Sequence, residues 1–283
     1  MTTPLQSLEL RPDGPDAFVA HSAALGEGRP VFGGQLLGQV VVAAAGVDPS
    51  KTVRSVHAAF PRPGSPEDPL QLRVDPVAVG RTMATATVTV SQGDRRVCVA
   101  TVLLDTEEDD VLRHGPPPPP AGAPEQAPAT DVFEAPGAEV RVVGGLDLDD
   151  TGATGDMRLD LWCRWPDVAE LDRVRHQALA AWLTDPLLLP TALRSHEGLS
   201  LRMAHEVVST AVITHTLSFH QPIAASDWLL IATECTWAGA GRVYGRGQLF
   251  TAAGQLVASY AQDAMLRRFP DHVTARGASS GVM

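Results

Sequence analysis

Read for the order of apolar and polar positions, the chain divides into two stretches built on the same plan. In the first, GGQLLGQVVVAAA over residues 33 to 45 is apolar on nearly every side, interrupted only by Gln35 and Gln39, four apart on one helical face. That pattern predicts a buried helix. The runs VRSVHAAF from Val53, PLQLRV from Pro69, TMATATVTV from Thr82 and VCVATVLL from Val97 predict strands. The third alternates Ala84, Ala86, Val88 and Val90 with Thr85, Thr87 and Thr89, the period of two that covers one face of a strand. Gln92, Gly93 and Asp94 between the last two runs supply a hairpin turn.

The second stretch repeats the order. LDRVRHQALAAWLTD from Leu171 predicts a helix, and VVSTAVITHTLSF, WLLIATECT, RVYGRGQLF and QLVASYAQDAML predict four strands. Laid without a gap, FPRPGSPEDPLQLRV from Phe60 matches FHQPIAASDWLLIAT from Phe219 at Phe, Pro, Asp and Leu. A slip of two residues then sets Gly93 on Gly254 and Thr101 on Gln262. Strands that follow one another without helical crossovers predict an α+β class, one helix against an antiparallel sheet, occurring twice.

Between the two stretches, Pro116 to Pro120 and AGAPEQAPATDVFEAPG cannot join a helix or a central strand, and linker-like composition returns over residues 144 to 156. The expected division is therefore an N-terminal unit over 1–108, a Pro/Gly-rich linker over 109–156 and a C-terminal unit over 157–283, with the tail RGASSGVM frayed.

Composition narrows the partners. The 283 residues suffice for a core without staples, and 22 Lys plus Arg against 33 Asp plus Glu give a net charge of −11. Nothing in that balance attracts nucleic acid or an anionic lipid surface. Cys98, Cys163 and Cys235 show no metal-ligand spacing and read as buried, reduced thiols, so no metal is expected. The start has no basic n-region or apolar h-region, and no run approaches the roughly 18 apolar residues of a membrane span, so the expected compartment is the cytoplasm.

Five motifs carry a resemblance: VFGGQLLGQ from Val31, VHAAFPRPG from Val56, LWCRW from Leu161, LTDPLLLPTAL from Leu183 and VASYAQDAMLR from Val257. Together they resemble the bacterial acyl-CoA thioesterase II family, the double hotdog thioesterases. The similarity runs from Phe18 to Arg267 and is interrupted by the linker. The resemblance implies a tandem hotdog, each half a buried helix wrapped by an antiparallel sheet. It also implies hydrolysis of fatty acyl-CoA to free acid and CoA, no metal or cofactor, and a homo-oligomer.

In that family an Asp, a Gln and a Thr hold the attacking water. Motif on motif, the Asp falls on Asp185 and the Gln on Gln262. The Thr position is Val212, in VITH, and Thr214 stands where the family has Asp. Strand alternation sets 212 and 214 on one side, so Thr214 is expected to supply a displaced hydroxyl. The expected catalytic set is Asp185, Gln262 and Thr214, with activity weakened by Val212.

Each of these residues has an ordinary reading beside it. Asp185 before Pro186 is the pattern of a helix N-cap, and Gln262 alone reads as a satisfied polar residue on an apolar strand. Gly33 and Gly34 suit close packing or backbone approach to a ligand. His57 and His215 read as hydrogen-bonded core or edge histidines. Arg62, Arg81 and Arg242 read as contacts to CoA phosphates or as surface charges.

Two rival functions share the fold. Val212 motivates a hotdog protein that binds acyl-CoA without hydrolysing it. An enoyl-CoA hydratase would need Asn five residues after its Asp, followed by His, and the residue five after Asp185 is Pro190.

Overall fold

The computed structural model describes residues 3–269, apart from 24, 26–28, 132, 134, 149, 151, 153 and 201–207. The tail RGASSGVM lies outside the described residues. A one-turn helix α1 (Pro4–Ser7) and short strands β1 (Arg11–Pro12) and β2 (Ala17–Ala20) lead into α2 (Gly33–Ala45). The strands β3 (Thr52–Ala59), β4 (Leu70–Val79), β5 (Met83–Gln92) and β6 (Arg95–Asp105) follow. The second half begins with β7 (Glu139–Val142) and β8 (Arg158–Arg164), followed by α3 (Arg173–Thr184), a 3-10 turn (Asp185–Leu187) and α4 (Leu188–Leu193). It closes with β9 (Val208–Phe219), β10 (Leu229–Gly239), β11 (Arg242–Thr251) and β12 (Leu256–Arg268).

Among the described residues, all twelve strands join one antiparallel sheet in the order β1-β2-β4-β5-β6-β3-β9-β12-β11-β10-β8-β7. Outward from the middle, the halves read β3-β6-β5-β4-β2-β1 and β9-β12-β11-β10-β8-β7, the same chain order in the same spatial order. They meet where β3 pairs with β9, with His57 opposite Thr216 and Ala58 opposite His215. The fold is a tandem hotdog, and the duplication suggested by a few identities is carried by topology.

Even the irregularities repeat. Against β6, β3 bulges between Val53 and Ser55, and against β12, β9 bulges between Val212 and Thr214. Each bulge inserts one unpaired residue, Arg54 or Ile213. Matching them equates Val53 with Val212 and Val56 with His215. Across the paired strands it equates Val102, opposite Val56, with Gln262, opposite His215. This corrects the sequence pairing of Thr101 with Gln262: Thr101 is exposed on the outer face, whereas Val102 and Gln262 both point inward.

Helix α2 packs on β3, β4, β5 and β6 and against α3, and the two helices meet directly through small residues. A Cβ at Gly34 would lie 2.5 Å from the carbonyl oxygen of Trp182, and one at Gly38 would lie 3.1 Å from that of Ala178. The two polar residues of α2 fasten the N-terminal segment: Gln35 Oε1 accepts the N–H of Ala23 at 2.8 Å, and Gln39 Nε2 donates to the carbonyl of Ser7 at 2.8 Å. A second apolar cluster joins Leu188 and Ala192 of α4 to Cys235, Val243 and Ala264 of the sheet.

The sequence pattern predicts one helix and four strands in each half, and the structure adds α1, β1, β2, β7, β8 and α4 and lengthens β4. β4 runs on to Val79 through its pairing with β5, beyond the predicted run, since its last five residues are exposed and show no apolar period. Within the stretch expected to be linker, Pro116 to Pro120 lie outside helix and strand, but β7 pairs with β8. Its buried Val140 and Val142 make a pattern too short to stand out in Pro/Gly-rich surroundings. All three cysteines are free and buried, and among the described residues no helix is long and apolar enough to cross a membrane.

Candidate active site

Asp172 caps the start of α3, accepting the N–H of Arg175 at 2.9 Å. The helix does not stop at Thr184. Asp185 keeps helical dihedrals, φ −72° and ψ −42°, and the chain continues through the 3-10 turn into α4. An N-cap needs extended backbone to turn its side chain back on its own helix, so that reading of Asp185 fails here. Its carboxylate crosses instead to the other half and lies against the start of α2, where the Gly34 N–H favours its ionised form.

The start of α2 is suited to receive it. Phe32 is extended and offers no side-chain cap, and the first turn holds no acidic residue, so its N–H groups lack the usual partners. A Cβ at Gly33 would stand 2.9 Å from both carboxylate oxygens of Asp185. The two glycines thus serve separate ends: Gly33 admits the carboxylate, and Gly34 admits the neighbouring helix. Burial pushes the Asp185 carboxyl up to about 7, opposed by the Gly34 N–H.

Gln262 reaches the same point from β12. Its Nε2 donates to the main-chain carbonyl of Asp185 at 2.9 Å and stands 3.5 Å from Oδ1 of the carboxylate. Its Oε1, fully buried, has no partner among the described residues.

Sequence reasoning set His215 aside as a core or edge histidine, and the structure places it at the site. It is fully buried opposite Gln262 and stacked on Tyr260 with ring centroids 5.5 Å apart. Its Nε2 lies 3.1 Å from Thr184 Oγ1, and that hydroxyl already donates its proton to the carbonyl of Ala181 at 2.8 Å. Nε2 therefore carries the imidazole proton, and Nδ1 presents a lone pair. Nδ1 sits 4.0 Å from Asp185 Oδ1 and has no hydrogen-bond partner among the described residues. Burial lowers the His215 pKa to about 3, so the ring stays neutral. The signal was present in two motifs, the Thr beside Asp185 and the His of VITH, but only the fold shows that they touch.

The structure brings Asp185 and Gln262 together and does not bring Thr214 to them. The expected alternation fails at the Ile213 bulge, which inverts the faces: Thr214 pairs with Asp263 and is exposed on the outer surface. Val212 keeps the inner face with Ala264 and packs against the cluster around Leu188. The wall where a hydroxyl was expected is therefore a methyl surface. Arg242 is held by Asp263, with Nε 3.0 Å from Oδ1.

The first half builds no equivalent among the described residues. Gly46 ends α2 where Asp185 ends α3, and Val53, Val56 and Val102 occupy the places of Val212, His215 and Gln262.

A double hotdog with one buried carboxylate held between an amide and the opposite helix start is thus the class that fold and site define. Residues 22–105 match the family described as acyl-CoA thioesterase N-terminal domain, and residues 109–266 match the acyl-CoA thioesterase C-terminal domain. Acyl-CoA thioesterase 2 of Haemophilus influenzae is 30% identical over 257 residues, 84% of this chain and 88% of that protein. The crystal structure of an acyl-CoA thioesterase II from Mycobacterium marinum is 26% identical, covers 96% of this chain and 100% of its own, and has a TM-score of 0.80. A protein with a hot dog fold from Alicyclobacillus acidocaldarius, 19% identical over 94% of this chain and 98% of its own with a TM-score of 0.76, shares the fold. The chain belongs to the acyl-CoA thioesterase family.

Proposed function

We propose that this protein hydrolyses fatty acyl-CoA by direct attack of water, with Asp185 as general base and Gln262 as the residue that orients the water. The observation that carries this reading is the buried carboxylate of Asp185, with Gln262 Nε2 3.5 Å from its Oδ1 and the start of α2 against its other side. A water donating one proton to the Asp185 carboxylate and the other to Gln262 Oε1, which has no other partner among the described residues, would be held by both. Its oxygen attacks the thioester carbonyl carbon while Asp185 takes the proton. The C–S bond then breaks, the acid leaves, and the proton held by Asp185 passes to the CoA thiolate, which restores the base.

A carboxylate at its ordinary pKa is a weak base, and the rise to about 7 brings Asp185 near the pH at which a base is both ionised and effective. The start of α2 also aims positive dipole at the reacting carbonyl, and its first-turn N–H groups other than that of Gly34 are the oxyanion donors in this reading. Val212 removes one hydrogen-bonding wall, so turnover is slower than a hydroxyl there would allow. The working assembly we infer, carried over from the family resemblance, is a homo-oligomer in the cytoplasm.

The test is thiol release from a panel of short, medium and long acyl-CoAs by wild type and Asp185→Asn. Release that the Asn change abolishes supports the reading. Undiminished release by Asp185→Asn overturns the role of Asp185, and binding of acyl-CoA without release overturns hydrolysis.

A further inference from the structure

The hairpin joining β5 to β6 borders a groove of about 420 Å³ lined by Pro61, Arg62, Asp94, Arg95, Arg96 and Val99. Three exposed guanidinium groups thus gather on a chain whose net charge is −11. Some arginines elsewhere on the outer sheet surface are neutralised locally, Arg246 by Glu234, Arg242 by Asp263 and Arg73 by Asp75. The other exposed strand arginines there, such as Arg11, do not line this groove. Among the described residues, none of Arg62, Arg95 and Arg96 forms an ion pair, although Asp94 shares the groove. The positive charge there is surplus, which is the condition for recognising an anion.

The groove is also rigidly built. Gln92, at the end of β5, donates from Nε2 to the carbonyls of Ser65 at 2.6 Å and Asp68 at 2.9 Å, and its Oε1 accepts the N–H of Ser65 at 2.8 Å. Arg95 donates from Nη2 to the carbonyl of Pro63 at 2.9 Å. The hairpin tip and the loop that carries Arg62 are thereby fixed to each other before any ligand arrives, which lowers the ordering cost of binding.

The same loop is tied to the candidate active site. The carbonyl of Gly64 accepts the N–H of Val31 at 2.9 Å, and Val31 lies two residues before Gly33, which abuts the Asp185 carboxylate. Chain geometry then holds the Cα of Arg62 within about 20 Å of that of Gly33. A span of this order matches the pantetheine arm that separates the thioester sulfur of acyl-CoA from its phosphates.

We propose that the groove of Arg62, Arg95 and Arg96 binds the phosphorylated ADP end of acyl-CoA, anchoring the substrate while its thioester reaches Asp185. Arg62 and Arg96 have free guanidinium forks for phosphate oxygens, the geometry that favours arginine over lysine. Pro61 and Val99 give the groove an apolar wall for the adenine ring. The proposal rests on the thioesterase reading for its substrate, but its ligand is recognised separately from the chemistry. It also sorts the arginines the sequence suggested: Arg62 is retained, Arg242 is paired with Asp263, and Arg81 lies at the opposite end of β5.

The experiment measures binding of adenosine 3′,5′-bisphosphate and of CoA by calorimetry, and hydrolysis of acyl-CoA and the matching acyl-pantetheine, for wild type, Arg62→Gln, Arg96→Gln, the double variant and Arg81→Gln. Each groove substitution is expected to raise Kd for the nucleotide and KM for acyl-CoA by about tenfold. Acyl-pantetheine kinetics stay unchanged, as does every parameter of Arg81→Gln. Unchanged Kd and KM in the double variant overturn the proposal while leaving hydrolysis intact. Equal losses with acyl-pantetheine also overturn it, since they assign the arginines a structural part. Nucleotide binding that depends on the arginines, in a protein that hydrolyses nothing, supports the groove and overturns the thioesterase reading instead.

Discussion

The carboxylate of Asp185 lies against Gly33, where an added Cβ would stand 2.9 Å from both its oxygens. The residue that follows the helix of one half thus meets the helix start of the other, where the Gly34 N–H favours its charge. This contact makes the site a property of the pair of hotdogs. A single half would leave Asp185 without that helix start.

Activity should rise with pH. Asp185 acts in its ionised form, and burial holds its pKa at about 7, so kcat/KM should climb with one inflection near that value and then level off. His215, kept neutral by burial with a pKa of about 3, should add no inflection. Replacing Asp185 with Asn should remove the climb together with about 10²- to 10⁴-fold of the rate.

Stability should move the other way. The folded pKa of Asp185, about 7, lies above its ordinary value of 3.8. The folded state therefore keeps a proton that the unfolded chain has released between those values, and the contribution of Asp185 to stability declines as pH rises through that window. Asp185→Asn lacks this decline. Its Tm relative to wild type should increase between pH 4 and pH 8, and a difference that stays flat would refute the buried, raised carboxyl.

The two glycines at the start of α2 should separate by substitution. In Gly33→Ala the new Cβ meets the end of a flexible carboxylate at 2.9 Å. Turnover should fall with little loss of Tm, because Asp185 can swing aside. In Gly34→Ala the new atom meets the Trp182 carbonyl at 2.5 Å and the Phe32 ring at 2.4 Å, and overpacking against backbone should cost about 1–3 kcal/mol in denaturant unfolding.

Val212→Thr and Thr214→Val test the bulge. Val212 faces the site side of β9 and Thr214 faces outward. Thiol release should rise in Val212→Thr, at a stability cost of about 1–2 kcal/mol for the partly buried hydroxyl. It should stay at the wild-type level in Thr214→Val. A loss of activity in the second variant would show that Thr214 reaches the reacting water after all.

Much of the fold was legible because its elements announce themselves locally. The apolar run of α2 and the alternation of β5 need only neighbouring residues to be read, and so does the Gly93 turn. The site was half legible: Asp185 and Gln262 follow from motif resemblance, but nothing local tells that Asp185 turns from its own helix to Gly34. Thr214 failed for one physical reason, a single inserted residue at Ile213 that reverses which side chains face inward, and strand alternation cannot foresee a bulge. His215 reads correctly as a hydrogen-bonded core histidine, but its place beside Thr184 and Asp185 was not legible, because these lie about 30 residues away and meet it only through the sheet.

The most direct test of the central claim is single-turnover hydrolysis of an acyl-CoA by wild type, Asp185→Asn and Gln262→Ala, with acyl-CoA affinity measured on the same preparations. Both variants should bind acyl-CoA as wild type does while the hydrolytic step falls by about 10²-fold or more. A hydrolytic step preserved in Asp185→Asn would contradict that claim.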